Sequence, residues 1–331
     1  MNFKPNGNFI YYLYWICERQ DIFWKRYNLE KPPYSEDPIL VENKFTNVYR
    51  ILDRSSQYLV KNVIQNGKSY SKEDIVWRII LYKHFNLPST WDYLIKELGD
   101  IDLSTSLSDI KKVLRELNKS GTIYSNAYML TASFMRNENT MARYGLKTGM
   151  PKYELYLRIF EEDLLEKGLI FKILNSSSFT QLFNYLKEIM AVADFIAYQF
   201  AQDLNYTDTF NLDENELCAA GPGTRRGIER CFDIEGKVDY DAIVKWVHLN
   251  FEELLYDYSK KFNMDLQFKS LPNHMPRVPD LSNCLCESDK YLRVKGTESG
   301  KSFGQTRMKN KFNPNPNKIE YIFPEKWGIK I

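Results

Sequence analysis

Residues 71–84 read Ser-Lys-Glu-Asp-Ile-Val-Trp-Arg-Ile-Ile-Leu-Tyr-Lys-His, and this stretch decides the fold class. Ser71 is followed three residues later by Asp74, which is the spacing of a capping box at the start of a helix. Residues 75–81 are apolar except for Arg78, and they fall well short of the roughly 20 residues that a membrane-spanning helix needs. The stretch therefore predicts a helix of a soluble protein, ending near His84.

Helical patterns also occur on both sides of this stretch. Apolar residues recur at helical spacing in residues 11–27 and in a second helix that begins near Asn47 and stops at Asn66-Gly67. Further helices are predicted over residues 90–98, 107–118, 152–167, 179–204 and 240–263, whereas only residues 122–124 and 318–323 resemble strands. We therefore expect a mainly α fold with no internal repeat and a proline-rich break at residues 271–279.

The composition is that of a globular protein. The chain has 331 residues, of which 44% are hydrophobic and 15% aromatic, and this balance excludes global disorder, collagen and a membrane bundle. The N-terminus lacks the layout of a secretory signal, and the five cysteines are odd in number. We expect a cytoplasmic protein without membrane contact.

A net charge of +2 conceals a basic C-terminal segment. Residues 293–331 contain nine Lys and Arg but only three Glu, interleaved with Phe, Gly, Asn and Pro. Such a composition suits a segment that follows a phosphate backbone, although a solvated, disordered terminus has the same composition. We divide the chain into a helical domain, residues 1–292, which allows two lobes with a cleft between them, and a basic extension, residues 293–331.

Familiar catalytic motifs are absent from the sequence. It contains no complete phosphate loop ending in Gly-Lys-Ser/Thr, no dinucleotide fingerprint after a strand and no Gly-x-Ser-x-Gly elbow. Cys284 and Cys286 are too closely spaced for the usual zinc pair, and His274 adds little to them. We therefore expect neither a metal nor another cofactor.

Several short strings occur in order along nearly the whole chain. They are Glu18-Arg19-Gln20, Asp37-Pro38-Ile39-Leu40, Phe45-Thr46-Asn47-Val48-Tyr49-Arg50, Asp53-Arg54, Ser56-Gln57-Tyr58-Leu59, Ile123-Tyr124-Ser125-Asn126-Ala127-Tyr128, Phe195-Ile196-Ala197-Tyr198-Gln199, Asp203-Leu204-Asn205-Tyr206, Ala220-Gly221-Pro222-Gly223-Thr224-Arg225-Arg226-Gly227 and Cys286-Glu287-Ser288-Asp289-Lys290-Tyr291. Together they resemble the family of α-glutamyl/putrescinyl thymine pyrophosphorylases, also described as the helical domain associated with hydroxymethyluracil DNA kinases. The resemblance implies a fold like that of the helix-hairpin-helix DNA glycosylases and a role on modified bases of phage DNA.

Two reactions are attached to this resemblance. Some members install an amino acid or polyamine on an activated pyrimidine, whereas related phage-defence proteins remove the modified base as DNA glycosylases. In the glycosylases a helix-hairpin-helix precedes a catalytic Asp; the matching residues here are 189–197, with Ala191 and Ala193 where glycines are expected, and Asp213 follows at the matching spacing. Phe195 stands where the lyase lysine would be, so we expect no Schiff base.

The resemblance makes Asp213 the first candidate catalytic residue. Breaking an N-glycosidic bond develops positive charge on the sugar, which a nearby carboxylate stabilises. The alternative role of Asp213 is a helix N-cap with Glu216 as its partner. Asp203 is the second candidate, and a salt bridge is its alternative role.

Glycines and arginines supply the candidate DNA-binding residues. Backbone N–H groups of a glycine turn beside guanidinium groups suit a phosphate, and two arginines four residues apart form one ridge of a helix. A helix-breaking turn with solvated arginines and a surface ion pair are the alternatives. The residues in question are Gly221, Gly223, Arg225, Arg226, Arg50 and Arg54.

A base pocket is expected as well, because an enzyme that acts on a base flips it out of the duplex and holds it by stacking and hydrogen bonds. Tyrosines at helical spacing are equally typical of half-buried core positions. The candidate residues are Asn47, Tyr124, Asn126, Tyr128, Tyr198, Gln199, Glu287 and Lys290.

The leading prediction is a monofunctional DNA glycosylase that removes hypermodified pyrimidines from double-stranded phage DNA in anti-phage defence and leaves abasic sites. The alternative is a transferase that displaces pyrophosphate from activated hydroxymethyluracil with an amine or amino acid. A DNA-binding module without catalysis is the third hypothesis. The sequence indicates no protein partner.

Overall fold

The computed structural model describes residues 2–125, 137–147, 149–296, 308, 310–314 and 317–331. Within these residues the chain is mainly helical, so the predicted mainly α fold is confirmed, whereas the likeness to helix-hairpin-helix glycosylases stays a prediction. No helix among them combines the length and the hydropathy that crossing a membrane requires. The chain forms two compact units: Met1–Asp53 together with Glu214–Ile331, and Arg54–Asp213.

The helices are named here in chain order. They are α1 (Phe9–Tyr27), α2 (Pro38–Glu42), α3 (Arg54–Tyr58), α4 (Lys72–Phe85), α5 (Pro88–Leu98), α6 (Leu107–Ser120), α7 (Glu138–Arg143), α8 (Lys152–Phe160), α9 (Leu169–Leu174), α10 (Phe179–Leu186), α11 (Asp194–Leu204), α12 (Pro222–Cys231), α13 (Tyr240–Leu249), α14 (Phe251–Phe262) and α15 (Val278–Lys295). Short 3₁₀ turns lie at Arg50–Leu52, Glu214–Glu216 and Glu325–Trp327, and π-helical turns at Leu59–Ile64 and Glu161–Glu166. Strand β1 (Phe3–Pro5) pairs antiparallel with β2 (Phe232–Ile234).

Helix α4 begins with the capping box that the sequence predicts. The amide of Asp74 donates to Ser71 Oγ at 3.0 Å, and the amide of Ser71 donates to the Asp74 carboxylate at 3.2 Å. Residues 76–85 are all buried, and the helix ends where Asn86 takes the left-handed conformation. Because a helix that is buried on every side belongs to a core, α4 lies at the centre of the second unit.

Residues 179–204 form two helices rather than one. Helices α10 and α11 pack against each other and are joined by a turn at residues 187–193, whereas the hairpin was expected at residues 189–197, of which 194–197 lie in α11. Ala191 has a φ of 64°, a left-handed conformation that glycine adopts far more readily. The carboxylate of Asp163 accepts a hydrogen bond of 2.8 Å from the amide of Met190 in the turn. The turn therefore forms although alanines occupy the positions where glycines were expected.

The helix predicted from near Asn47 to Asn66-Gly67 begins later than expected: α3 and the π-helical turn that follows it cover residues 54–64, so its end is confirmed and its start is wrong. Asp53 accepts a hydrogen bond of 2.9 Å from the amide of Asn47, and its own backbone is extended, with a ψ of 145°. The chain therefore turns back on itself before α3 begins. Arg50 is buried and Arg54 is exposed, so the predicted ridge of these two arginines does not form.

Three further local predictions differ from the structure. Residues 122–124 and 318–323 are not strands; the pairing of strands joins β1 to β2 instead. The helix predicted over residues 240–263 is interrupted at Asn250, which separates α13 from α14. Hydrophobic spacing indicates which residues face the core, but it does not indicate where backbone hydrogen bonding begins or stops.

The described part of the C-terminal segment packs on the first unit. Phe312 donates its amide to the carbonyl of Glu42 at 3.0 Å, and Lys44 donates to the carbonyl of Asn310 at 3.0 Å. Further along, the ring of Trp327 stacks on His274 with 4.3 Å between ring centroids. These contacts make residues 310–314 and 317–331 part of the first unit, and α15 itself runs across position 292.

Helices α12 and α15 approach so closely that two glycines of α12 are required. A Cβ atom at Gly223 would lie 2.2 Å from the Sγ atom of Cys286, and one at Gly227 would lie 2.1 Å from the carbonyl oxygen of Leu285. Real Cβ atoms do not occupy such distances, and a backbone carbonyl cannot rotate away as a side chain can. The two glycines therefore set the distance between the two helices.

We expect Gly227→Ala to lower the free energy of unfolding by about 1–3 kcal/mol, because the added methyl group forces α12 away from α15. Urea unfolding of the purified chain measures the change. Gly7→Ala is the matched control in the same unit, since a Cβ at Gly7 has no atom within 4 Å. Equal stability of the two variants would contradict the packing argument.

Candidate functional site

Strings of the sequence that lie far apart meet in the first unit. Arg19 comes from α1, Asn47 and Asp53 from the segment before α3, and Glu287 and Lys290 from α15. Hydrogen bonds and ion pairs connect these five residues, directly or through the backbone of Thr46. We refer to Arg19, Asn47, Asp53, Glu287 and Lys290 as the Arg19 cluster.

The guanidinium of Arg19 lies at the centre of the cluster and is only 6% exposed. Its Nε donates to the carbonyl of Thr46 at 2.9 Å, and its Nη2 donates to Oδ1 of Asn47 at 2.7 Å. Its Nη1 is buried and has no hydrogen-bond partner among the described residues. Burial lowers the pKa of Arg19 to about 10, so the group stays charged at neutral pH with one donor left over.

Asp53 and Asn47 hold each other in place. Oδ1 of Asp53 accepts from the amide of Asn47 at 2.9 Å and from its Nδ2 at 3.0 Å, and the same Nδ2 donates to the carbonyl of Leu52 at 2.8 Å. Burial raises the pKa of Asp53 to about 6, against the opposing effect of these hydrogen bonds and of Arg19. The carboxyl therefore changes its charge just below neutral pH.

Glu287 connects α15 to the rest of the cluster. It is 2% exposed, accepts from the amide of Thr46 at 3.3 Å through Oε2, and forms an ion pair with Lys290 through Oε1. Burial lowers the pKa of Lys290, but the charge of Glu287 raises it and gives a net rise. The cluster therefore places positively charged donors and negatively charged acceptors in one part of the unit. A polar ligand needs both kinds of group to form its hydrogen bonds.

A small cavity lies along the same helix, α1. It has a volume of about 190 Å³ and is lined by Ile22, Pro32, Pro33, Tyr34, Ser35, Leu40, Val41, Phe312 and Pro314. Ser35 donates its hydroxyl to the carboxylate of Glu18 at 2.6 Å, and the guanidinium of Arg26 lies 5.9 Å from the ring centroid of Phe312. The cavity is therefore mainly apolar, with a carboxylate and a guanidinium beside its walls.

The arginines of the predicted phosphate turn have partners within the chain. Arg225 is exposed, lies 5.2 Å from the ring centroid of Tyr240 and donates from Nε to the carbonyl of Ala220 at 2.9 Å. Arg226 forms an ion pair of 3.2 Å with the buried Asp289. Gly221 precedes α12, and Gly223 provides room for α15. The role of these residues in binding DNA stays a prediction.

The residues predicted for a base pocket are divided between the units. Asn47, Glu287 and Lys290 belong to the Arg19 cluster, whereas Tyr124, Tyr198 and Gln199 lie in the second unit. Tyr198 and Gln199 are buried in α11, and the hydroxyl of Tyr124 lies 3.1 Å from Nε2 of His84. Asn126 and Tyr128 fall outside the described residues.

The two candidate catalytic carboxylates have different surroundings. Asp203 is fully buried and forms an ion pair of 3.0 Å with the buried Lys83. Asp213 is exposed and directly precedes the turn Glu214–Glu216. Both belong to the second unit, whereas the Arg19 cluster belongs to the first.

Sequence reasoning did not select Arg19 as a site residue, and it considered Asp53 only with Asn47, Arg50 and Arg54, as polar residues of one helix that line a pocket or contact phosphates. A charged residue within the apolar pattern of α1 was one available signal, because a charge is rarely fully buried without a specific partner. The position of both residues in the strings Glu18-Arg19-Gln20 and Asp53-Arg54 was the other signal.

Comparison with known proteins identifies the relatives of this chain. The family model described as "5-hmdU DNA kinase, helical domain" matches residues 7–301. The 5-hmdU DNA kinase of Bacillus phage SP10 is 26% identical over 334 residues, which cover 96% of this chain and 50% of that protein. The chain therefore spans about half the length of this relative. No solved structure matches it.

These comparisons show that the prediction of a DNA glycosylase was wrong. Both the family model and the phage relative are named for a DNA kinase and not for a hydrolase. The strings had indicated the associated helical domain, but the reaction was transferred from related proteins that share the expected fold, and fold does not determine reaction. The catalytic roles of Asp213 and Asp203 and the role in anti-phage defence were predicted as parts of base excision. They lose that basis because the predicted reaction was wrong.

We expect the stability of the protein to depend on the charge of Asp53. Because the pKa of Asp53 is raised in the folded chain, the stability it contributes is present below the ordinary pKa near 4 and is lost as the pH rises through about 6. The unfolding free energy of the wild type should therefore fall relative to that of Asp53→Asn, by about 2–3 kcal/mol between pH 4 and pH 7.

Urea unfolding across this pH range measures the difference. Asp257→Asn, an exposed position on α14, is the matched control for removing a carboxyl group. A wild type and an Asp53→Asn variant whose unfolding free energies change in parallel with pH would exclude the raised pKa.

Proposed function

Since the chain belongs to the family described as the helical domain of 5-hmdU DNA kinases, we propose that it binds DNA and recognises 5-hydroxymethyldeoxyuridine through the Arg19 cluster. The observation that carries the proposal is the meeting of three segments, distant in the sequence, around one buried guanidinium. Each of the three also belongs to one of the strings that resemble the family. Residues that serve the common task of a family are expected to lie together in this way.

The cluster has the groups that a pyrimidine requires. A uracil ring presents one N–H donor between two carbonyl acceptors, and proteins read a flipped base by hydrogen bonds to this edge and by stacking. Asp53 and Glu287 supply carboxylates, while Arg19 and Lys290 supply charged donors. The neighbouring apolar cavity, with Tyr34 and Phe312 in its lining, supplies the ring contacts.

Recognition of DNA is favoured over phosphoryl transfer by the sequence itself. Two Gly-Lys-Ser tripeptides occur, at residues 67–69 and 300–302, but a phosphate loop needs a further glycine five positions before its second glycine. Those positions hold Asn62 and Lys295. Lys68 pairs with Asp100 at 2.9 Å. The named activity of the phage relative belongs to a protein of which this chain covers half.

Several features are suited to the DNA backbone. Arg225 is exposed near the start of α12 and belongs to the first unit, as the Arg19 cluster does. The basic C-terminal segment adds nonspecific attraction. We assign these features to holding the duplex and the Arg19 cluster to reading the base.

Fluorescence anisotropy with two labelled duplexes tests the proposal. The duplexes are identical except that one thymine is replaced by 5-hydroxymethyluracil, and the salt concentration is fixed because phosphate contacts depend on it. We expect the wild type to prefer the hydroxymethylated duplex by about tenfold or more, since a good hydrogen bond to a charged group is worth about 1.5–3 kcal/mol.

Glu287→Gln should abolish this preference and leave the nonspecific affinity nearly unchanged, because the amide keeps the shape of the side chain but removes its charge. Glu253→Gln, at an exposed position of α14, is the matched control and should behave as the wild type. Equal affinity of the wild type for both duplexes would refute base recognition.

A further inference from the structure

We infer that Arg19 and Arg26 of helix α1, together with Tyr321, form a binding site for a phosphate monoester. The inference goes beyond the proposed function in naming an anionic group as a ligand, but it rests on the same cluster. Its starting point is a set of buried donors for which the described residues provide no acceptor.

Arg19 has a donor that lacks an acceptor. Its Nε and Nη2 are used by Thr46 and Asn47, whereas Nη1 is buried without a partner among the described residues. A buried polar group without a hydrogen bond costs free energy, and the cost is greater for a charged group. A bound acceptor removes this cost.

Arg26 repeats the pattern on the same helix. It follows Arg19 by seven residues, which is two turns and about 10 Å along the axis, so both arginines lie on one side of α1. Its Nε is buried without a partner in the described part of the chain, and its guanidinium lies over Phe312. Among the described residues this arginine has a ring contact but no carboxylate partner.

Tyr321 lies against the stretch of α1 between the two arginines. The ring of Tyr321 packs on Phe23 at 5.3 Å between centroids, which places it against α1. Two guanidinium groups and a phenol are donors that suit the several oxygens of one phosphate.

A monoester fits this site better than a phosphate of the DNA backbone. A backbone phosphate carries one charge and is flanked by a sugar on each side, whereas a monoester ends in three oxygens and carries up to two charges. Because Arg19 is 94% buried, a terminal group reaches its Nη1 more readily than a group within a strand does.

Thermal unfolding with inorganic phosphate tests the site directly, using the whole chain. A ligand that binds the folded state raises the melting temperature in proportion to its affinity. We expect phosphate to raise the melting temperature of the wild type above that in sodium chloride of equal ionic strength, and this rise to disappear in Arg26→Gln. Lys261→Gln removes one charge from an exposed position of α14 and should keep the full rise.

Arg26 is the better first variant because it is only partly buried, so its replacement leaves the core of α1 intact. Arg19→Lys is the second variant; it keeps the charge but loses the Nη1 donor, and it should reduce the rise as well. An equal rise in the wild type and in Arg26→Gln, or no rise in the wild type, would overturn the site.

Three duplexes then identify the source of the monoester by anisotropy: one with 5-hydroxymethyluracil, one with the same base phosphorylated on its hydroxymethyl group, and one with a phosphate on a 5′ end. We expect at least tenfold tighter binding of one phosphorylated duplex than of its unphosphorylated counterpart, and we expect Arg26→Gln to lose this gain. No gain with either duplex would overturn the site. The preference for 5-hydroxymethyluracil over thymine is measured separately, so the proposed function can fail or stand independently of this result.

Discussion

The approach of α12 to α15 is the constraint on which the first unit depends. The carbonyl of Leu285 occupies the space that a side chain at position 227 would need, so the two backbones are held at a fixed distance. Helix α15 also packs on α1, α2 and α13. A helix that is fixed by backbone contacts on one side can carry polar side chains on its other sides without losing its position, and α15 carries Glu287 to the loop that contains Thr46.

Three buried carboxylates of α15 hold different segments of the first unit. Asp280 accepts from the backbone amides of Arg50 at 2.9 Å and Arg277 at 3.1 Å, and burial raises its pKa to about 6. Asp289 is paired with side chains of α12, including Arg226. Glu287 lies between them and contacts both a backbone amide and Lys290. Because each acid has its own donors, the loop, α12 and the site are held in one arrangement by separate interactions.

The sequence predicted the helices better than the connections between them. The capping box of α4 could be predicted because both partners lie within four residues. The break before α3 could not be predicted, because it depends on a hydrogen bond from the amide of Asn47 to the carboxylate of Asp53. The spacing of apolar residues gives no information about such a bond. The left-handed conformation of Ala191 could not be predicted either, because glycine is the residue expected in that conformation. Tertiary contacts decide each of these cases.

Tertiary contacts also explain which site residues could be found from the sequence. Asp213 was chosen by counting from a hairpin, and a count carries no information about neighbours; the residue is exposed. Asn47, Glu287 and Lys290 were chosen because they lie in strings that resemble a family, and they meet around Arg19. These three residues lie in strings that are distant in the sequence, and the fold brings the strings together. Their convergence supports the proposed site, whereas the fold alone does not determine the reaction there.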